Sequence, residues 1–319
     1  ILWQIPHNRT MKAKLGSLIV LIAIFSGGSL WGGIAILNAG LGMVQAQTER
    51  VATESRPGAE IVSECRKTLE NVESLEVELS QQATIYGQQL NGKGQYLQQG
   101  QGTKMTRLVL NFSAGEQTAS FRQINDGRFV YTKYETPWSS RFSQIDLLKA
   151  EGALGTRPRI AQPSEREGMT VGGGLLAVIR MLERDFEFTA AGFSKWGGQQ
   201  VWHVEGRWKA ESLVKYFGLP KQPWTQPASL ELLPEYVPSH VHLTVGIDPQ
   251  LPYFPYQISF LRSSTADRGH VLTPLSRMEV SGIRQGGLID DAEFEFVPGD
   301  EVVDDDTDWF VKKQQKSTR

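Results

Sequence analysis

Between Glu76 and Tyr134 the chain alternates apolar and polar residues at a spacing of two, over several short runs broken by turn residues. In Glu76 to Tyr86, Val77, Leu79, Ala83 and Ile85 share one parity, while Glu76, Glu78, Ser80, Gln82 and Thr84 share the other. A period of two is the strand period, so one face is dry and the other wet. The sequence Asn91-Gly92-Lys93-Gly94 reads as a turn, with a strand over Gln95 to Gln99 and a break at Gly100-Gln101-Gly102. Arg107 to Ser113 and Thr118 to Ile124 follow as strands, and Asn125-Asp126-Gly127 turns the chain into Arg128 to Tyr134. Connections this short make hairpins. In that last run Phe129 and Tyr131 take one face, Val130 and Tyr134 the other, so the strand is expected to be covered on both sides.

Two stretches carry helical periodicity instead. From Ala59 to Val72 the apolar residues Ile61, Cys65, Leu69 and Val72 recur at spacings of four, four and three, one stripe of a helix. Cys65, the single cysteine, falls on that stripe and reads as a small core residue rather than a reactive thiol, which needs exposure and nearby positive charge. After Gly172-Gly173-Gly174, Leu175 to Arg184 places Leu175, Leu176, Val178, Ile179 and Leu182 around much of the circumference, so the helix is expected to be buried. No Gly-Lys-Ser/Thr follows those glycines, which sets aside a phosphate cradle.

Strand patterns return at Phe186 to Phe193, Gln200 to Trp208, His240 to Ile247, Pro255 to Arg262, Leu272 to Arg284 and Ala292 to Val297. Lys149 to Gly168 reads as a loop, and the proline-rich Leu213 to Ser239 as a long surface excursion, because proline removes donors a sheet needs. Helices do not alternate with the strands, so the sheet is expected to be antiparallel and the class α+β: a large curved antiparallel sheet, an incomplete β-barrel, with helices covering its concave apolar face.

The chain opens on an apolar segment. Residues 1–10 precede Met11 and are left out of the fold reading. Met11-Lys12-Ala13-Lys14 comes before an uncharged stretch that closes on Val44-Gln45-Ala46, the order of an export signal. A retained membrane anchor is the alternative, since about 20 apolar residues span a bilayer. Residues 1–46 are thus a signal peptide or anchor, 47–58 a flexible leader, 59–300 the folded domain and 301–319 a charged tail. Both alternatives imply export to the periplasm. With 33 Lys and Arg against 35 Asp and Glu, no basic excess exists to hold a nucleic acid by counterion release. His240 and His242 share the polar face of their strand, but no acidic or Cys ligand is near in sequence, so no metal is expected. There is no Gly-x-Ser-x-Gly elbow, and the histidines lack a nucleophile at motif spacing. Catalysis and cofactors are not expected.

Asp126-Gly127-Arg128-Phe129-Val130-Tyr131, the helix Gly174 to Leu182 and the closing Phe294-Glu295-Phe296-Val297-Pro298-Gly299-Asp300, taken in this order, resemble the LolA-like family of periplasmic lipoprotein carriers over roughly 60–300. Leu232-Leu233-Pro234, the strand Val241 to Ile247, and Asp248-Pro249 before Pro255-Tyr256 are similar to exported proteins of this kind from planctomycete-type bacteria. The resemblance implies a half-barrel whose apolar inside holds acyl chains of lipids or lipoproteins. It leaves as an alternative an envelope interaction module that regulates a membrane-protein partner, and the chain is expected to act as a monomer. Strand parity and the buried helix nominate Phe129, Tyr131, Leu175, Ile179, Trp202, Leu243, Val245, Ile258 and Phe260 as the cavity lining.

Overall fold

A computed structural model describes residues 55–85, 88–100, 105–154, 174–217, 233, 237–266, 269–297, 299 and 302–317. The export segment, residues 47–54 of the leader, most of the loop after Ala153 and most of the proline-rich excursion lie outside the described residues, whereas the end of the expected leader is ordered, Ser55–Pro57 pairing with the strand Phe186–Trp196 and Gly58 opening a helix.

The strands are β1 (Ser55–Pro57), β2 (Ser74–Ile85), β3 (Gln88–Gln99), β4 (Met105–Ala114), β5 (Gln117–Asn125), β6 (Phe129–Thr136), β7 (Ser139–Asp146), β8 (Phe186–Trp196), β9 (Gln199–Trp208), β10 (His240–Ile247), β11 (Pro252–Ala266), β12 (Gly269–Gln285) and β13 (Asp304–Asp305). They form one 13-stranded sheet in the order β1-β8-β9-β10-β11-β12-β2-β3-β4-β5-β6-β7-β13. Every pairing is antiparallel except β13 on β7. The sheet does not close on itself, so the fold is an α+β open half-barrel. Its topology is two meanders, β8 to β12 and β2 to β7, joined where β12 pairs with β2.

The helices are α1 (Gly58–Asn71), α2 (Leu147–Ala153), α3 (Leu175–Asp185), α4 (Ala210–Phe217) and α5 (Thr307–Ser317), with a 3-10 turn at Asp291–Phe294. In α1 the buried residues are Gly58, Ile61, Val62, Cys65 and Leu69, the expected stripe one turn wide. Glu60 in its first turn suits the positive end of the helix dipole. The exposed carbonyls at its other end are met by Gln98 on β3, whose Nε2 donates to the Leu69 carbonyl at 3.0 Å. α3 buries Leu175, Leu176, Ala177, Val178, Ile179 and Leu182. Both helices contribute to a single core cluster with the inner face of the sheet; α1 touches β8, β9, β11 and α3.

Several sequence expectations change in register. Asn91-Gly92-Lys93-Gly94 is not a turn: β3 runs straight through it, and its hairpin partner β2 faces it from Ile85↔Gln88 to Ser74↔Gln99. Glycine serves close approach there instead, since a Cβ on Gly92 would sit 2.8 Å from the Phe112 ring. Ala292 to Val297 is no strand but the 3-10 turn and an extended tail end. Lys149 and the residues around it belong to α2, capped by Asp146, whose carboxylate accepts from the Lys149 backbone N–H at 3.0 Å. The excursion begins as α4, with Leu213, Leu233 and Val237 forming a small separate core. The charged C-terminal residues fold back: Asp304 and Asp305 pair with β7, and Phe310 and Val311 of α5 bury against Ala150.

Gly174 ends the loop before α3 at φ 104, and a Cβ there would collide with the Tyr96 ring. A left-handed backbone and a buried aromatic both demand glycine. Gly174→Ala is expected to cost about 1–3 kcal/mol in urea unfolding, whereas Gly115→Ala, at φ 60 with open space around it, is expected to cost about 1 kcal/mol.

Candidate functional site

Directly opposed residues on neighbouring strands share a face of the sheet, so the register gives each residue its side. One row crosses eight strands: Val204, Leu243, Ile258, Met278, Gln81, Gly92, Phe112 and Ala119 are successive partners on β9, β10, β11, β12, β2, β3, β4 and β5. A second row runs Val241, Phe260, Ser276, Ala83, and a third Val280, Leu79, Gly94, Leu110, Phe121, Tyr134. The side chains of these rows, together with Trp202 opposite Val245, form the inner face on which α1 and α3 lie.

The cover is tied down at its rim by charge. Arg66 on α1 donates from Nε to Glu183 on α3 at 2.7 Å and pairs with Glu70 at 2.8 Å. Arg180 on α3 reaches back to the same Glu70 at 3.0 Å. The two helices are thus stitched by a four-residue network that stays partly solvated, while their undersides meet the sheet by apolar contact, with hydrogen bonds from Gln98 to the Leu69 carbonyl and from the Thr68 hydroxyl to the Pro252 carbonyl at the edges of α1. Within that contact Cys65 is fully buried, and burial pushes its thiol well above the ordinary range. It is a core residue, as its stripe position implied.

Of the nine residues nominated from sequence, seven come together. Leu175, Ile179, Trp202, Leu243, Val245, Ile258 and Phe260 belong to the one core cluster, each no more than 6 % exposed. Phe129 and Tyr131 do not join them. Tyr131 is the partner of Ile124, itself opposite Arg107, whereas the neighbouring Thr132 opposes Gln123 and through it the core residue Leu108. Tyr131 therefore stands on the outer face, where its ring stacks on Phe296 at 5.4 Å and Phe142 meets the same Phe296 at 4.4 Å. Arg107 pairs there with Glu293 of the 3-10 turn. The expectation that β6 is covered on both sides holds, but its Phe and Tyr pack under the C-terminal segment. Met278, Gln81, Val204 and Phe112 belong to the inner row and were not singled out from sequence. The alternation in β12 around Met278 and Val280 was the available signal.

Polar side chains on the inner face include Gln81, Gln98, Thr106, Gln123 and Ser276, all of them buried. Gln98 is fully buried and satisfied by α1 carbonyls and the Tyr96 hydroxyl. Gln81 is 2 % exposed; its Nε2 lies 3.4 Å from Ser276 Oγ, and its Oε1 has no partner.

The outer face of β9 and β10 holds a different group. His242 opposes Glu205, Thr244 opposes His203 and His240 opposes Arg207. His242 Nε2 is 3.6 Å and His240 Nε2 3.9 Å from the Glu205 carboxylate, longer than hydrogen bonds. His203 Nδ1 meets Thr244 Oγ1 at 3.3 Å. The acidic neighbour that the His-x-His pair lacks in sequence is supplied across the strand, yet among the described residues no set of three His, Cys, Asp or Glu side chains is arranged to hold a metal. A cleft of about 740 Å³ also opens on the sheet, against β3 to β6, lined by polar groups including Asn91, Lys93, Asn111, Ser120 and Glu135. Lys93, Asn111, Ser120 and Glu135 are cross-strand partners one residue out of step with the inner row, so they face outward.

No family model and no curated protein matches the chain. Solved structures to which it is similar include the Mycobacterium tuberculosis lipoprotein LppX (11 % identity, 73 % of this chain and 98 % of that one, TM-score 0.34) and a LolA superfamily protein from Nitrosomonas europaea (11 %, 75 % and 98 %, TM-score 0.28). The Pseudomonas aeruginosa MucA/MucB complex is a third (9 %, 75 % and 61 %, TM-score 0.35). The LolA-like family named from sequence thus recurs among the matches, but likenesses this weak leave what the chain binds to be argued from its own geometry.

The outer cluster makes stability depend on acid. Burial, reinforced by the Arg207 charge, lowers His240 to about 4, and burial beside His242 lowers His203. Both imidazoles are neutral in the fold and take up protons more readily when unfolded, at about 6.5. Their contribution is therefore complete above that value and is lost as pH falls toward 4. Glu205, held at about 2 by His242 first and then by His240 and Arg207 against the opposing effect of burial, loses its own contribution as pH falls below its ordinary carboxylate value. The melting temperature is expected to drop progressively from pH 7 to pH 4, and His240→Gln to flatten the upper part of that drop. A native profile already flat over this range would contradict the assignment.

Proposed function

We propose that the protein is an exported carrier that holds acyl chains of lipids or lipoproteins against the inner face of its half-barrel, beneath α1 and α3. The observation that carries the reading is a mismatch of areas. The eight strands from β9 to β5 at about 4.8 Å spacing make roughly 40 Å of dry face, and two helices each about 10 Å across account for about half of it. Yet the apolar inner rows continue from β9 to β5 without a break apart from glycines and a few buried polar groups. A sheet that needed only to pack two short helices has no use for so wide a dry face, whereas an acyl chain gains about 0.8 kcal/mol for each methylene it buries there.

The lining on this reading is Trp202, Leu243, Val245, Ile258 and Phe260 from the sheet and Leu175 and Ile179 from the cover. Entry of a chain requires the helices to lift, and their attachment suits this: an ion-pair network at the solvated rim yields to water with little net cost, while the apolar underside trades one greasy partner for another. Hydrogen bonds are not broken in bulk, because the sheet pairs with itself and each helix bonds internally.

Protein purified from its own envelope, extracted and analysed by lipid mass spectrometry, is expected to yield about one acylated molecule per chain. Recovery without lipid but with a stable protein partner would favour the interaction module instead, and turnover of model esters an enzyme. Arg66→Ala, which removes both of that residue's ion pairs, is expected to cost about 1 kcal/mol of stability and to speed release of a bound fluorescent fatty acid in stopped-flow displacement. An unchanged release rate would show that α1 and α3 do not gate the site.

A further inference from the structure

The inner row contains one residue that a purely apolar container would not choose. Gln81 sits between Met278 and Gly92, on the same face as Leu79 and Ala83. It is 98 % buried and cannot satisfy its amide. Its one contact, to the hydroxyl of the equally buried Ser276 on β12, is long at 3.4 Å. Turning the amide over would let Oε1 accept from that hydroxyl but would leave the NH2 unmatched instead. Either way one strong hydrogen-bonding group faces the interior without a partner, and such groups are rare because water satisfied them before folding. Leu or Met would fill the position without that cost. Three of its neighbours are short, Gly92 directly across on β3, Ala83 two residues along and Ser276 on the diagonal, with Met278 across on β12.

We propose that Gln81 and Ser276 form a polar subsite within the acyl-binding interior and that it takes the hydroxyl of a hydroxylated acyl chain. The hydroxyl donates to Gln81 Oε1 and accepts from Ser276 Oγ–H, so the orphaned acceptor and the underused donor are both matched. The subsite gives the carrier a preference among chains of equal length, which burial of methylenes cannot do. The inference rests on the carrier reading and adds to it the chemical class of the ligand.

The test is displacement of a fluorescent fatty acid from the full chain by palmitate, 3-hydroxypalmitate, stearate and 12-hydroxystearate. In the native protein at least one hydroxy acid is expected to bind about tenfold tighter than its unsubstituted partner, the size of one good hydrogen bond. Gln81→Leu is expected to bring that ratio to about one, and to melt no lower than the native protein. Ser276→Ala, a smaller change, is expected to reduce the same ratio and serves if Gln81→Leu does not fold. Equal affinities for hydroxylated and plain acids in the native protein would overturn the subsite and leave the carrier standing, as would a preference that survives both substitutions. Failure of every acid to displace the probe, or of the probe to bind, would remove the carrier reading and the subsite with it.

Discussion

A sheet thirteen strands wide can present one dry face only if every strand meets its neighbour in the same parity. A slip of one residue anywhere turns all side chains beyond it to the wrong side. The row from Val204 to Ala119 is that constraint made visible. Register shifts fall between Thr244 and Val245 and between Val245 and Ile247 on β10, between Phe260 and Leu261 on β11, between Ser281 and Arg284 on β12 and between Phe188 and Ala191 on β8, and the pairs Val204, Leu243, Ile258 and Met278 of the central row stay in step between them. Bulges of this kind bend a strand and add twist, which curls the sheet toward a half-barrel.

The helices depend on that face rather than the reverse. α1 carries its apolar stripe to β8, β9 and β11, and its carbonyl end is received by Gln98, a residue of the sheet. α3 is set in place by a glycine that only a left-handed backbone beside Tyr96 allows. Stability is therefore concentrated at the two ends of the cover and at its underside. The charged rim of Arg66, Glu70, Arg180 and Glu183 contributes orientation more than energy. This division is what a cover that opens without unfolding the sheet requires: the sheet keeps its ladders, and the helices keep theirs.

The fold was largely legible in the sequence because its signals are local. Alternation in Glu76 to Ile85 and in His240 to Ile247, and the four-residue spacing of Ile61, Cys65 and Leu69, each name an element without reference to any other. What failed was relational. Gly92 and Gly94 carry the composition of a turn, but their role is to admit the Phe112 ring and the neighbouring backbone in mid-strand. Phe129 and Tyr131 were assigned to the interior because they are large and alternate, yet alternation says that a strand has two faces and not which is inside. That is fixed by Thr132 facing Gln123 and Tyr131 facing Ile124, and by a C-terminal segment more than 150 residues later that supplies Phe296. Gln81 is not singled out by the sequence, although it shares the parity of Leu79 and Ala83 and lies inside with them.

The central claim is that an acyl chain lies between the inner row and the two covering helices. Photo-crosslinking with a diazirine-bearing fatty acid, followed by peptide mass spectrometry, reads the location of the chain directly. The expected adducts fall on peptides of β9 to β12 around Trp202, Leu243, Ile258 and Met278 and on α3 around Ile179, and excess palmitate should suppress them. Adducts confined to the outer cleft by Lys93 and Glu135, to the Tyr131 and Phe296 side of the sheet, or absent altogether would contradict it.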